Sequence, residues 1–239
     1  SSSTPIEGYV KLKFDYQDNF LPRSIISFFY SDNGVVWEQL GSNHTSGLTI
    51  DLIENDSYFE VGGWGDGQSP GGQHLSGFLN KVVIQTDDYK REFTFSKNNR
   101  DKDYYLLTPE LRNEYEKDVK YKNNSIRLDR PRDYWIALPN EVNLSGKDFE
   151  IVIHLNLDSV PKGNETIFSQ SSILRLNENF NDQSWKWSII DGRMYFFWIE
   201  EVISGYANFV GGQSLRSGKL ISNDGKFDSI ISSFSLSQY

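Results

Sequence analysis

The chain has 239 residues, no cysteine and a formal net charge of −9. Without thiols it has no disulfide, no thiolate nucleophile and no cysteine-ligated zinc. Its 33 acidic residues outweigh 24 basic ones, and no Lys/Arg run is long enough to form a basic patch, so no nucleic-acid partner is expected. No apolar run approaches the roughly 20 residues of a membrane span, so no membrane insertion is expected either. Aromatic residues reach 15%, with 16 Phe, 13 Tyr and 6 Trp. Such a composition suits pleated sheets and binding surfaces and argues against disorder.

Ser1–Pro5 reads as a linker or a cut end, and the sole methionine is Met194, so the chain is expected to be a segment of a longer protein. The first strand is predicted at Tyr9–Tyr16, where Val10, Leu12, Phe14 and Tyr16 alternate with Lys11, Lys13 and Asp15. Ile25–Tyr30 and Val35–Leu40 follow as a hairpin, with Asn33-Gly34 supplying the positive φ of a tight turn. Leu48–Ile53, Tyr58–Val61 and Phe78–Gln85 are further strands, and the glycine-rich stretch 62–77 between the last two is a long loop. Residues 89–121 read as a connector: Thr108-Pro109-Glu110 is a helix start, and a short helix is predicted over 109–118. Beyond it, strands are predicted at Ser125–Leu128, Phe149–Leu157, Thr166–Ser169, Ile173–Leu176, Trp185–Ile190, Met194–Trp198 and Phe227–Leu236. Many short strands with frequent turns and almost no helix predict an all-β sandwich.

Several of these segments carry a family pattern. Tyr134-Trp135-Ile136, Leu144–Ile151, Thr166–Gln170, Trp185–Ile189 and Asp191–Phe196 resemble the early strands of the concanavalin A-like, laminin-G-type jelly roll. Phe29–Trp37, Tyr58–Gly63 and Leu75–Ile84 resemble its later strands. The resemblance implies the tail of one jelly-roll unit at 1–88, a connector at 89–121 and the head of a second unit at 122–239. A half sandwich alone would expose an apolar face and open edges. Either a longer protein supplies the missing halves, or the two halves complete each other. Proteins of this type occur in phage tails, other virion proteins and bacterial surface proteins. The resemblance therefore implies a virion or extracellular location and, as partners, other subunits of a larger assembly.

Catalysis in glycosidases of this fold uses a Glu-x-Asp-x-Glu strand, and no such run occurs. Glu200 and Glu201 are adjacent and point to opposite faces of a strand. The Gly-x-Ser-x-Gly elbow is also absent, and Gly65-Asp66-Gly67 has no helix after it to make a nucleotide site. No enzyme activity is expected. The candidate binding residues are aromatics beside flexible polar loops. Trp64 with Asp66, Gln68 and His74 is one cluster: an indole stacks on the apolar face of a pyranose while Asp and Gln bond its hydroxyls. Alternatively, Trp64 folds back to cap the sandwich. Trp198, Tyr206 and Asn208 form a comparable cluster near the second glycine-rich stretch. Trp37, Trp135, Trp185 and Trp187 sit inside strand patterns and read as core or sheet-face residues; Trp185 and Trp187 share one face, packed or as a shallow platform. His154 reads as a surface or cross-strand residue. No cofactor is required, but calcium often accompanies the family, and Asp66, Asp87 and Asp88 are conceivable ligands that no spacing motif selects. The expected function is a structural or adhesion module, with cell-surface polysaccharide as a ligand. A stand-alone carbohydrate-binding protein is the alternative, and a glycoside hydrolase the remote third.

Overall fold

Alternation is at its cleanest in Phe149–Leu157, where every second side chain is buried, and this strand organises the larger of two sheets. In a computed structural model of the chain, the described residues are 7–17, 23–46, 52, 58–62, 75–107, 119–128, 135–159, 164–170, 185–190, 192–198 and 219–222. In chain order the described strands are β1 (Glu7–Gln17), β2 (Arg23–Ser31), β3 (Glu38–Thr45), β4 (Phe59–Val61), β5 (Gly77–Thr86), β6 (Lys90–Thr94) and β7 (Tyr105–Leu107). They continue with β8 (Tyr121–Lys122), β9 (Ser125–Leu128), β10 (Trp135–Leu138), β11 (Phe149–Leu157), β12 (Asn164–Gln170), β13 (Trp185–Ile190), β14 (Arg193–Trp198) and β15 (Lys219–Ser222).

The larger sheet has the order β3-β2-β1-β11-β5-β9-β8, with β6 also paired to β5, and the smaller has the order β15-β14-β13-β12-β4-β10-β7. Every strand pairing within them is antiparallel. The protein is thus all-β, built on two antiparallel sheets. Their inner faces meet in one apolar core that draws on both: Val10, Leu12, Phe14, Ile151 and Ile153 from the larger, Phe59, Phe168, Trp185, Trp187 and Phe196 from the smaller. Rings interlock across the gap, with Phe14 and Phe196 centroids 6.0 Å apart, Phe28 and Trp187 6.3 Å, and Phe149 and Trp185 6.1 Å. Trp185 and Trp187 are therefore packed rather than a platform. The indole N–H of Trp185 donates to Gln170 Oε1 at 3.2 Å, as a buried indole requires.

The expected division at 88 and 122 does not divide the sheets. β1 lies against β11, and β11 lies against β5. β4 is inserted between β10 and β12. Strands from the two halves alternate and complete each other. The connector is corrected as well, because β6 pairs with β5 and β7 with β10. Its charged composition hid these strands: among the described residues there, Phe93, Phe95, Tyr104 and Leu106 are buried in the core, with Tyr89, Val119 and Tyr121 packed partly against it.

The β2–β3 turn is wider than its Asn-Gly pair predicts. Asn33 Oδ1 accepts from the N–H groups of Val35 and Val36 at 2.8 and 3.0 Å, and Ser31 Oγ accepts from Gly34 N–H at 2.9 Å. The side chains take over the bonds a ladder would use, so β3 starts at Glu38 and Val35–Val36 belong to the turn. The helix at 109–118 and the strands at Ile173–Leu176 and Phe227–Leu236 lie outside the described residues. So does Leu48–Ile53, apart from Leu52, which is buried.

Candidate functional site

Gly62 follows β4 directly, and Leu75 precedes β5. Gly62 N–H donates to Ile167 O at 3.0 Å, and Leu75 N–H donates to Gly62 O at 3.1 Å. The two residues that flank segment 63–74 are therefore clasped together. Gly62 has φ +78°, and a Cβ there would meet Leu128 Cδ1 at 2.9 Å. The first glycine of the stretch is thus needed for a left-handed backbone and for close approach. Leu75 anchors the other side in the core.

Just beyond the clasp the larger sheet presents a polar cluster. Arg127 on β9 makes a two-pronged contact with Asp158, Nη1 to Oδ1 at 2.8 Å and Nη2 to Oδ2 at 2.5 Å. Ser76 Oγ donates to Asp158 Oδ2 at 2.9 Å, and Asp158 N–H donates to Ser76 O at 3.1 Å. The Arg127 guanidinium holds the Asp158 carboxyl below the ordinary carboxylate value. It also stands 5.2 Å over the ring of Phe78. This pairing is not visible in sequence, since its members lie 31 and 82 positions apart.

The four residues of the first expected cluster, Trp64, Asp66, Gln68 and His74, lie outside the described residues, but all fall in the clasped segment. Of the second cluster, Tyr206 and Asn208 lie outside as well. The backbone of Trp198 ends β14, opposite Trp185 and Lys219. β4, β12, β13 and β14 are successively antiparallel. The end of β4, which leads toward Trp64, and the end of β14, which leads toward Tyr206, therefore lie at opposite ends of the smaller sheet along the strand direction.

The two outer faces differ. On the larger sheet the outer face is half-exposed and aromatic: Tyr9 stacks on His154 at 4.1 Å, and Lys11 Nζ sits 4.8 Å from the Phe29 ring and 4.7 Å from the Trp37 ring. His154 is a cross-strand residue, as expected, opposite Tyr9 on β1 and Lys81 on β5. On the smaller sheet the outer face is buried and polar. Cross-strand register sets Glu60 beside Ser169 and Ser169 beside Lys186; these residues are 0%, 0% and 8% exposed. This row holds one carboxylate, and the residue two strands away is a cation. Among the described residues, no group of three or more His, Asp or Glu could hold a metal. Of the conceivable calcium ligands, Asp88 takes the Thr86 hydroxyl at 2.7 Å and the Lys147 ammonium at 3.1 Å, which keep its carboxyl below the ordinary value.

His154 provides a pH test of the outer face. Burial lowers its pKa below the ordinary imidazole value of 6.5, Glu7 opposes that shift and Lys81 adds to it. The unfolded chain therefore binds this proton more readily than the folded one, so stability is complete above about pH 6.5 and declines as pH falls below it. Urea unfolding between pH 8 and pH 5.5 is expected to show that decline (over the range of ordinary histidine titration). The H154Q variant is expected to flatten it, and an unchanged pH profile in H154Q would count against the assignment.

No protein-family model, curated protein or solved structure matches this chain.

Proposed function

We propose that this chain is a non-catalytic recognition module of a virion or cell-surface assembly, its two sheets forming a concanavalin A-like jelly roll and its clasped loop binding carbohydrate. The observation that carries the reading is the Gly62–Leu75 clasp, which ties both ends of the segment bearing Trp64, Asp66, Gln68 and His74 to the edge that carries Arg127, Asp158 and Ser76. An indole, two carboxylates, an amide, an imidazole and a guanidinium are the groups a pyranose needs: one apolar face to stack on and several donors and acceptors for its hydroxyls. Binding without turnover is supported by the outer row of the smaller sheet, where Glu60 is followed across the strands by Ser169 and Lys186. Paired-carboxylate hydrolysis needs a second acid facing the first across the glycosidic bond.

Titration of the intact chain with neutral and acidic oligosaccharides, followed by tryptophan fluorescence and calorimetry, tests the reading. At least one sugar class is expected to bind, and Trp64→Ala is expected to weaken that binding about tenfold or more, the scale of one lost stacking contact. Absence of binding across the panel, or undiminished binding in Trp64→Ala, would overturn it. Release of reducing ends from any bound polysaccharide would show turnover instead.

A further inference from the structure

The widest exposure of large apolar side chains among the described residues is at one point, the β2–β3 turn, where Val35 and Val36 are 78% and 73% exposed. The turn is held rigidly. Asn33 Oδ1 and Ser31 Oγ accept from four of its N–H groups, and Tyr30 OH donates to Asp32 Oδ1 at 2.6 Å. Gly34 lies against the ring of Tyr9, where a Cβ would come within 3.1 Å of it. Tyr9 points outward from β1, so the turn leans over the outer face of the larger sheet. Two β-branched side chains fixed in solvent by so many bonds form a preorganised knob. Around it stand the acids Glu7, Asp32 and Glu38, all exposed.

The same face carries the complementary feature. Phe78 on β5 also points outward, flanked by Arg127 at 5.2 Å and Lys122 Nζ at 6.0 Å. Asp158 meets the charge of Arg127, so the exposed Lys120 and Lys122 give this aromatic patch its positive sign. Knob and patch both lie toward the end of the sheet where β2 stops and β5 starts. Between β2 and β5 stand only β1 and β11, which puts the two features about 14 Å apart.

We infer that two copies of this chain associate through the outer faces of their larger sheets, the Val35–Val36 knob of each seating on the Phe78–Lys122 patch of the other. The two-fold axis runs parallel to the strands between β1 and β11. Rotation about that line exchanges the β2 and β5 positions and turns the faces toward each other, so both contacts form at once, as a self-complementary interface requires. The Tyr9–His154 pair, one residue on each of these strands, falls on the axis. Acid against lysine sets the orientation, and the apolar area is modest, so the dimer is weak and reversible.

Sedimentation velocity of the full chain over a wide concentration range is expected to show a monomer–dimer equilibrium that weakens with salt. Val36→Lys, at an exposed position that leaves the core intact, is expected to raise the dimer dissociation constant about tenfold or more. Glu38→Lys and Lys122→Glu are each expected to weaken the dimer, and the double variant to recover it. A chain that stays monomeric at every concentration, a dimer indifferent to Val36→Lys, or a double variant no better than the single ones would each overturn the inference.

Discussion

Residues 1–121 produced on their own are expected to show no cooperative unfolding transition, and the same holds for residues 122–239. The reason is the alternation of the two halves within both sheets. Removing the second half strips β1 of β11, β5 of β11 and β9, and β4 of both its neighbours. In the larger sheet that would leave β1 and β5 as open edges with their apolar sides in water, which invites aggregation rather than folding. The core loses Phe149, Ile151, Ile153, Trp185 and Trp187 in the same cut, and each large buried side chain lost costs about 2–5 kcal/mol. That sum exceeds the net stability of an ordinary domain. Mixing the two fragments is expected to restore β structure, because each supplies the other's missing strands. Circular dichroism with urea titration is the measurement. A sigmoidal transition in either fragment alone would refute the alternating arrangement.

Gly77→Ala is expected to destabilise the chain by about 3 kcal/mol or more, and to lower its Tm by roughly 10 °C. Gly77 has φ +154°, and a Cβ there would lie 2.3 Å from Asn156 O and 2.7 Å from Leu157 Cα. Both obstacles are backbone atoms of β11, so no rotamer change relieves the clash. The strand pair must separate where β5 begins, just past the clasp of the 63–74 segment. Gly146→Ala is the control, since Gly146 has φ +64° but nothing within 4 Å of its Cβ position. It is expected to cost about 1 kcal/mol, the strain of a left-handed alanine alone. Thermal unfolding of the two variants side by side decides the matter: equal small losses would mean that β5 and β11 do not approach so closely.

Strands were legible from the sequence, and their partners were not. Phe149–Leu157 and Trp185–Ile190 coincide with β11 and β13, and Tyr9–Tyr16 falls within β1. Alternation reports which face a side chain takes. It carries no information on which strand lies alongside, so the β1–β11 pairing could not be read and the halves looked like separate units. The Asn33-Gly34 turn was located correctly but its width was missed, because the Asn33 side chain competes for Val35 and Val36 N–H. β6 escaped notice because Lys90, Arg91 and Glu92 dominate its composition, and Phe93 is its buried member. The glycine-rich stretch is expected to be a loop from its composition, and residues 63–74 of it lie outside the described residues. The clasp at its base and the Arg127–Asp158–Ser76 cluster beside it come from tertiary pairing and left no local signal.

The clasp between Gly62 and Leu75 has an evolutionary side. The bonds that close it are between backbone groups and therefore do not depend on which side chains follow. Lengthening a closed loop adds little free-energy cost, about 0.6 kcal/mol for each doubling. The residues between positions 63 and 74 can thus be rewritten, lengthened or exchanged while β4 and β5 keep their neighbours. A scaffold of this kind separates inheritance into two parts, a slow one for the sheets and a fast one for the stretch between the clasped ends, and lets that stretch vary without putting the fold at risk.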